Sequence, residues 1–313
     1  MTRGPVLSPI AALALALALL LTACGSASPS ASAPPMQVAA LPTSASSHVV
    51  VLVMENKESG DVLGSGDSRY VKGLARRYGQ ATASYAVSHP SLPNYLALTS
   101  GSTHGITDDC TDCHVAANNI ADQVDAAGLS WKGYMEDLPR PCYHGAGAGN
   151  YAKKHDPFLY YDSVARNPSR CRRVVPFTQL RADLKRGRLP TFAFVSPNQC
   201  NDTHDCSVAT GDHFLAGLVP GLVHELGPHG FLVLTWDEGS SGRGCCGGAQ
   251  GGRIVTIVAG PDVRPGARLA TPVDHYGVLA TIERALGLPL LGGAADARNG
   301  SLDGLFRAAP HVR

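Results

Sequence analysis

The chain has 313 residues, with 26 Lys plus Arg against 25 Asp plus Glu, so its net charge of +1 excludes binding driven by a polybasic or polyacidic surface. Hydrophobic residues at 44% and charged residues at 16% exclude a disordered chain and a polytopic membrane protein, and 6% aromatics leave no broad stacking surface for single-stranded nucleic acid. The 35 Gly and 22 Pro point to many turns and long loops rather than a helical bundle.

In chain order, the first element is not part of a fold. Arg3 precedes an apolar run from Ile10 to Leu21, too short for a mature membrane span but suited to a signal peptide. Leu21-Thr22-Ala23-Cys24 resembles the lipobox of bacterial lipoproteins, which implies cleavage before Cys24 and lipidation of its sulfur. Gly25 to Ser47 is rich in Ser, Ala and Pro, carries no charge and reads as a flexible tether. The expected organisation is a signal peptide over 1–23, a lipidated tether over 24–47 and a catalytic domain over 48–313. Export to the outer face of the cell membrane, held there by the lipid at Cys24, follows from that reading.

His48 to Met54 is a continuous apolar run rich in β-branched residues, the pattern of a strand buried on both faces of a parallel sheet. Thr191 to Val195, Phe231 to Trp236 and Ile254 to Ala259 repeat it. Helical patterns lie between and after them at Asn118 to Ala127, Asp212 to Leu226 and Val273 to Leu286. Strands alternating with helices predict an α/β fold with a mostly parallel sheet.

Besides Cys24 there are eight cysteines, an even number that in an exported chain points to disulfides. Cys110 with Cys113 and Cys200 with Cys206 are expected short closures. The adjacent Cys245 and Cys246 either bridge each other or anchor different partners. Cys110-Thr-Asp-Cys-His114 has the spacing of a haem attachment site, but its surroundings are polar and Met is scarce as a second axial ligand. His224-Glu225 with His229 misses zinc-protease spacing by one residue, and Gly227-Pro228 would break the presenting helix. No Gly-x-Ser-x-Gly elbow is present.

Three of the predicted strands run into polar residues: Glu55 and Asn56 after the first, Asp202 and His204 shortly after the second, Asp237 and Glu238 after the third. Ligands of parallel α/β sheets bind beyond the carboxyl ends of the strands, so these residues are expected to converge. Adjacent carboxylates at Asp237 and Glu238 repel unless a cation neutralises them, and an oxygen-rich set suits a divalent metal. In Ser88-His-Pro-Ser-Leu-Pro-Asn-Tyr95, Ser91 fits a helix N-cap and Pro93 the first turn. A hydroxyl beside free helix N–H groups lies where a phosphate is favoured.

Val51-Leu-Val-Met-Glu-Asn56, His89-Pro-Ser-Leu-Pro-Asn-Tyr95, Trp236-Asp-Glu238 and His275-Tyr276 with Thr281-Ile-Glu283 together resemble the phosphoesterase family of bacterial acid phosphatases and phospholipases C, within the alkaline-phosphatase-like superfamily. The resemblance spans about residues 48 to 290. It implies a three-layer α/β/α sandwich with a divalent metal (Ca, Mg, Mn or Zn) held by Glu55, Asn56, Asp237 and Glu238. It implies Ser91 as nucleophile, Asn94 holding a phosphoryl oxygen, and His204 and His275 on the leaving-group side. In two-metal relatives the positions of Asp202, His204 and His275 bear a second ion. Lys57-Glu58-Ser59 departs from the more aromatic continuation of many relatives, and Cys245-Cys-Gly-Gly248 has no counterpart role.

The implied function is metal-dependent hydrolysis of phosphomonoesters through a phosphoserine. A small phosphate ester is the expected substrate, because the loops Cys200 to Cys206 and Gly239 to Gly252 offer no large apolar side chain to a lipid surface. A phospholipase C or other phosphodiesterase on the same scaffold is the nearest alternative, and the aromatics of Pro157 to Tyr161 would serve it if they faced the site. A non-catalytic ligand-binding lipoprotein is the alternative of a different class, disfavoured by an intact set of candidate residues.

Overall fold

The computed structural model describes residues 46–312. The expected signal peptide, Cys24 and nearly all of the tether lie outside the described residues.

The strands are β1 (Val49–Met54), β2 (Gly79–Tyr85), β3 (Trp131–Met135), β4 (Gly147–Ala148), β5 (Tyr151–Ala152), β6 (Val174–Pro176), β7 (Phe192–Ser196), β8 (Phe231–Trp236), β9 (Arg253–Ala259), β10 (Arg268–Leu269) and β11 (Val273–Asp274). The helices are α1 (Ser59–Gly64), α2 (Arg69–Arg77), α3 (Ser91–Ser100), α4 (Ile120–Ala126), α5 (Asp162–Ala165), α6 (Pro168–Cys171), α7 (Phe177–Lys185), α8 (Val208–His224) and α9 (His275–Ala285). The main sheet runs β10-β2-β9-β8-β1-β7-β3-β6, with β11 beside β2, while β4 and β5 form a separate hairpin.

β1 is central because nothing in it tolerates water: all six residues are buried, and it pairs in parallel with β7 on one side and β8 on the other. Side chains alternate across a strand, so Val49, Val51 and Val53 join one core and Val50, Leu52 and Met54 the other. The first core is closed by α3, α4 and α9 through Leu92, Val124 and Leu279. The second is closed by α2, α7 and α8 through Leu74, Leu180 and Leu222. Each such aliphatic side chain contributes roughly 1.5–3 kcal/mol on burial. The result is the expected three-layer α/β/α sandwich.

Four differences from the sequence-based expectation have physical reasons. β2 and β3 were not predicted, because Gly-Gln-Ala-Thr-Ala-Ser-Tyr and Trp-Lys-Gly-Tyr-Met lack the unbroken aliphatic run of the other strands. β9 is antiparallel to both β2 and β8, so the sheet is mixed although mostly parallel. α8 begins at Val208 rather than Asp212, capped by Ser207 accepting from the Thr210 N–H at 3.2 Å. Asp212 resembles a cap in sequence, yet it caps another helix in space, accepting from Tyr70 N and Val71 N at 2.9 and 2.8 Å in the first turn of α2.

All eight described cysteines are paired: Cys110–Cys113, Cys142–Cys171, Cys200–Cys206 and the vicinal Cys245–Cys246. The two expected short closures form, and the adjacent pair bridges itself. Thiol titration of unfolded, unreduced protein is therefore expected to find none of these eight free.

Glu283 on α9 is fully buried and accepts from the Leu291 N–H at 3.1 and 3.2 Å, while the nearby buried Gln123 Oε1 has no partner. Burial pushes the Glu283 carboxyl from 4.5 up to about 8. Between those values the folded chain holds a proton that the unfolded chain has lost. Stability from this group is thus full below about pH 4.5 and declines as pH rises towards 8, by up to about 1.4 kcal/mol per pH unit. Glu283→Gln keeps an acceptor for Leu291 and should flatten that decline, measured as denaturant midpoints at pH 5 and pH 8.

Candidate active site

The site forms where β1, β7 and β8 release their chains at the carboxyl edge of the sheet. β1 ends in Glu55, which is fully buried, and Asn56 follows with φ of 54°, a left-handed conformation that Asn accepts better than most residues. That turn aims the Asn56 N–H at Asp237 Oδ1, 3.0 Å away at the end of β8. Main-chain bonds stitch the three loops together: Glu55 N donates to Asp202 O and Asp237 N to Met54 O, both at 2.8 Å. Thr203 adds a hydroxyl bond to the Glu55 carbonyl at 2.7 Å and receives the Trp236 indole N–H at 3.2 Å.

Ser91 is the first helical residue of α3, preceded by Pro90 in extended conformation, so it stands one position inside the expected N-cap. Its side chain makes no capping bond; it points across the sheet edge instead. Ser91 Oγ donates to Glu55 Oε2 at 3.1 Å and lies 3.4 Å from Glu238 Oε1, with no exposed surface. Tyr95, one turn on, gives its hydroxyl to Glu55 Oε1. α3 ends at Gly101 with φ of 71°, where a Cβ would stand 2.1 Å from the Leu291 carbonyl.

Asn94 is not presented to a ligand as expected. Its Oδ1 accepts from Val87 N and Ser88 N at 2.9 and 3.0 Å, and its Nδ2 donates to Ser88 O and Pro90 O at 2.8 and 3.2 Å. Every hydrogen-bonding direction of that amide is spent on the loop entering α3, so Asn94 positions Ser91 from within.

The sequence reading missed His155. It is 2% exposed, stacks on Tyr95 with ring centroids 5.5 Å apart, and sets Nε2 3.3 Å from Glu55 Oε1 and Nδ1 3.4 Å from Asp202 Oδ2. These contacts lie in ion-pair range without hydrogen-bond directionality, and neither ring nitrogen has a hydrogen-bond partner. Lys153-Lys-His-Asp156 precedes the buried Pro157 to Tyr161, and that polar burst was the available signal. At this edge of the sheet, ligand atoms within 4.8 Å of one another come from Glu55, His155 and His204 rather than from the expected set of Asp202, His204 and His275. His275 instead donates Nε2–H to the Asp237 carbonyl at 2.5 Å. His204 Nδ1 pairs with Asp205 at 2.6 Å, and its Nε2 faces Lys154 Nζ at 3.2 Å.

The electrostatics are those of carboxylates crowded away from water. Burial first, then the Asp237 and Asp202 charges, holds Glu55 well above the usual carboxyl range. Burial and then Asp237 push Glu238 to about 7 against the opposing His89, while Asp202 rises to about 8, mainly by burial. Burial also lowers His155 to about 3 and His275 to about 4. Asp237 Oδ2, Asp202 Oδ2 and both His155 nitrogens are buried without partners. Orphaned acceptors beside mutually repelling carboxylates fit a divalent cation, which would satisfy the first and cancel the second.

The outer wall is the loop from Gly239 to Gly252. Glu58 anchors it, accepting from Ser240 N, Ser241 Oγ and Arg253 N at 3.0, 3.0 and 3.1 Å. Gly239 must lack a side chain, since a Cβ would meet Glu58 Oε2 at 2.3 Å. Ser241 O in turn accepts from His89 Nε2 at 3.1 Å, and His89 Nδ1 pairs with Glu238. The departure at Lys57-Glu58-Ser59 thus has a structural use. Phe158, Leu159, Tyr160 and Tyr161 are all buried in the core and offer nothing to a lipid.

Three comparisons with known proteins bear on the family and the fold. The chain is 35% identical over 264 residues to the phosphatidylinositol-3-phosphatase of Mycobacterium tuberculosis, covering 84% of this chain and 83% of that protein. It is 33% identical over 236 residues to an acid phosphatase of Aspergillus fumigatus, covering 71% of this chain and 51% of the relative, so the chain spans about half of that protein's length. Among solved structures, a protein of the alkaline phosphatase superfamily from Vibrio parahaemolyticus superposes with a TM-score of 0.52 at 14% identity, over 78% of this chain and 67% of that one. A sulfatase from Pseudoalteromonas sp. superposes with a TM-score of 0.55 at 14% identity, over 86% and 73%. These superpositions establish the fold. With residues 62–289 also matching the Phosphoesterase family as a whole, the chain belongs to that family of phosphate-ester hydrolases, on an alkaline-phosphatase-like scaffold.

Proposed function

We propose that the protein is a metal-dependent phosphatase of small phosphomonoesters that works through a phosphoserine at Ser91. The observation that carries this reading is the Ser91 hydroxyl, fully buried at the start of α3 and hydrogen-bonded into the Glu55 and Glu238 carboxylates. Glu55, Asn56, Asp237 and Glu238 would hold the cation. When bound, a divalent ion supplies charge neutralisation for phosphoryl oxygens and acidifies a neighbouring hydroxyl. If a second ion binds, Glu55, His155 and His204 are the residues that would hold it, and His204 then serves as a ligand rather than as an acid.

The remaining steps belong to the chain's own residues. Ser91 Oγ attacks phosphorus as the bond to the leaving oxygen breaks, and its proton leaves along the hydrogen bond to Glu55. The first turn of α3 would offer N–H groups to the phosphoryl oxygens once Asp109 releases the Leu92 N–H. His204, with 23% of its side chain exposed, is the residue placed to protonate the departing alkoxide. The fully buried His275 fixes the Asp237 main chain instead. Water then attacks the phosphoserine, and Ser91 is restored.

The monoester preference is supported by the lack of an apolar apron: among the described residues Leu290 is the single exposed large hydrophobic, at 36%. Both relatives named above are phosphatases. We further infer that the chain is exported and lipid-anchored at Cys24, since Leu21-Thr-Ala-Cys24 follows an apolar run. The test is a comparison of kcat/KM for an aryl phosphomonoester, its diester analogue and phosphatidylcholine. The monoester should lead by about tenfold or more, since a diester carries one negative charge fewer and forgoes a charge-assisted contact. Preference for phosphatidylcholine would replace the reading with a phospholipase C.

A further inference from the structure

The N–H beside Ser91 at the start of α3 is already taken by a side chain of the protein. Leu92 N–H, beside Ser91 in the first turn of α3, donates to Asp109 Oδ1 at 2.9 Å. Asp109 Oδ2 receives Lys154 Nζ at 2.9 Å, and the same ammonium reaches His204 Nε2 at 3.2 Å. One carboxylate therefore bridges a helix N-terminal N–H and a lysine, as two non-bridging oxygens of a phosphate would. His155 has Nε2 3.3 Å from Glu55 and Nδ1 3.4 Å from Asp202, both nitrogens buried without a hydrogen-bond partner, and its ring lies 5.7 Å from that of His204, which Lys154 touches. Asp109 can leave alone: the main chain behind it is pinned by Tyr160 Oη to Cys110 O at 2.9 Å, Lys153 Nζ to Thr111 O at 2.6 Å and the Cys110–Cys113 bridge. Its side chain is about a quarter exposed, so a rotation delivers the carboxylate to water.

We propose that Asp109 is a resident anion that occupies Leu92 N–H and Lys154 until the phosphoryl group of the substrate displaces it, and thereby lowers the apparent affinity for phosphate esters. The proposal rests on the phosphatase reading above. A phosphomonoester dianion brings more charge to Lys154 than the carboxylate it evicts, whereas a diester monoanion brings no more. That preference for the dianion belongs to Lys154, whereas displacement of Asp109 costs every phosphate ester the same factor.

The test uses the full, metal-loaded protein and inorganic phosphate as probe, with Kd by calorimetry and Ki by competition against an aryl monoester. Asp109→Asn, which keeps an acceptor for Leu92, should tighten phosphate by about tenfold and raise kcat/KM for monoester and diester by a similar factor, leaving their ratio unchanged. Asp109→Ala should do the same, and Lys154→Met should weaken phosphate by about tenfold. Unchanged or weaker phosphate binding in folded Asp109→Asn and Asp109→Ala overturns the proposal. If neither folds, an unchanged Kd in Lys154→Met overturns it. If wild-type protein hydrolyses no phosphate ester while Asp109→Asn still tightens phosphate, the functional reading falls and the resident anion stands.

Discussion

Ser91→Ala is expected to lower kcat by roughly ten-thousandfold or more, the scale seen when a nucleophile is removed from a covalent mechanism. The fold should survive. Ser91 makes no capping bond, so the alanine forgoes only the hydroxyl's bonds to Glu55 and Glu238. Losing those bonds removes a neutral donor from between two buried carboxylates, so a modest fall of about 1–3 kcal/mol in stability is expected. Activity within tenfold of wild type in a folded variant would take the nucleophile away from this residue. Trapping of radiolabelled phosphate on wild type, absent from Ser91→Ala, gives the independent readout.

Exhaustive chelation should abolish turnover and also lower the melting temperature. The second effect follows from the carboxylates: burial and mutual repulsion raise Glu55, Asp202 and Glu238, and a bound cation relieves both. An ion present at a hundred times its Kd stabilises the folded state by about 2.7 kcal/mol, and chelation removes that contribution. Asp237→Asn should cut metal content measured by elemental analysis, because it removes the charge while Asn56 N–H still finds an oxygen acceptor. Metal-free protein with full activity would end the metal-dependent reading.

The parts of this molecule legible in sequence are those dictated by local chemistry. β1, β7 and β8 announce themselves because a strand covered on both faces must be apolar at every position, and the acidic residues that end them are conspicuous by contrast. Ser91 was legible through the prolines on either side. What stayed hidden depends on partners distant in the chain. Asp212 carries the signature of a cap, but whether it caps its own helix or α2 is decided by packing. Asn94 looks like a ligand until the loop it holds is folded over it. His155 is the last residue of a short 3-10 turn with no periodic pattern, and only the approach of Tyr95, Glu55 and Asp202 gives it a role. The roles of His204 and His275 diverged for the same reason: one faces Lys154, the other is locked under Asp237.

The main-chain bonds that join Glu55 to Asp202 and Asp237 to Met54 bear on how this scaffold can be re-engineered. Residues tied through their own peptide groups cannot be moved one at a time by exchanging side chains, so the catalytic edge behaves as a single casting with β1. Attempts to redirect the enzyme by grafting loops there would deform the strand at the centre of the sheet. The segment around Asp109 is held mainly by side-chain bonds and the Cys110–Cys113 bridge, which makes it the interchangeable part, whereas Gly239 to Gly252 is tied through its own peptide groups to Ala86 and Val87. A library randomised in the Asp109 segment can sample new alcohol groups on the substrate while the reacting centre stays in place.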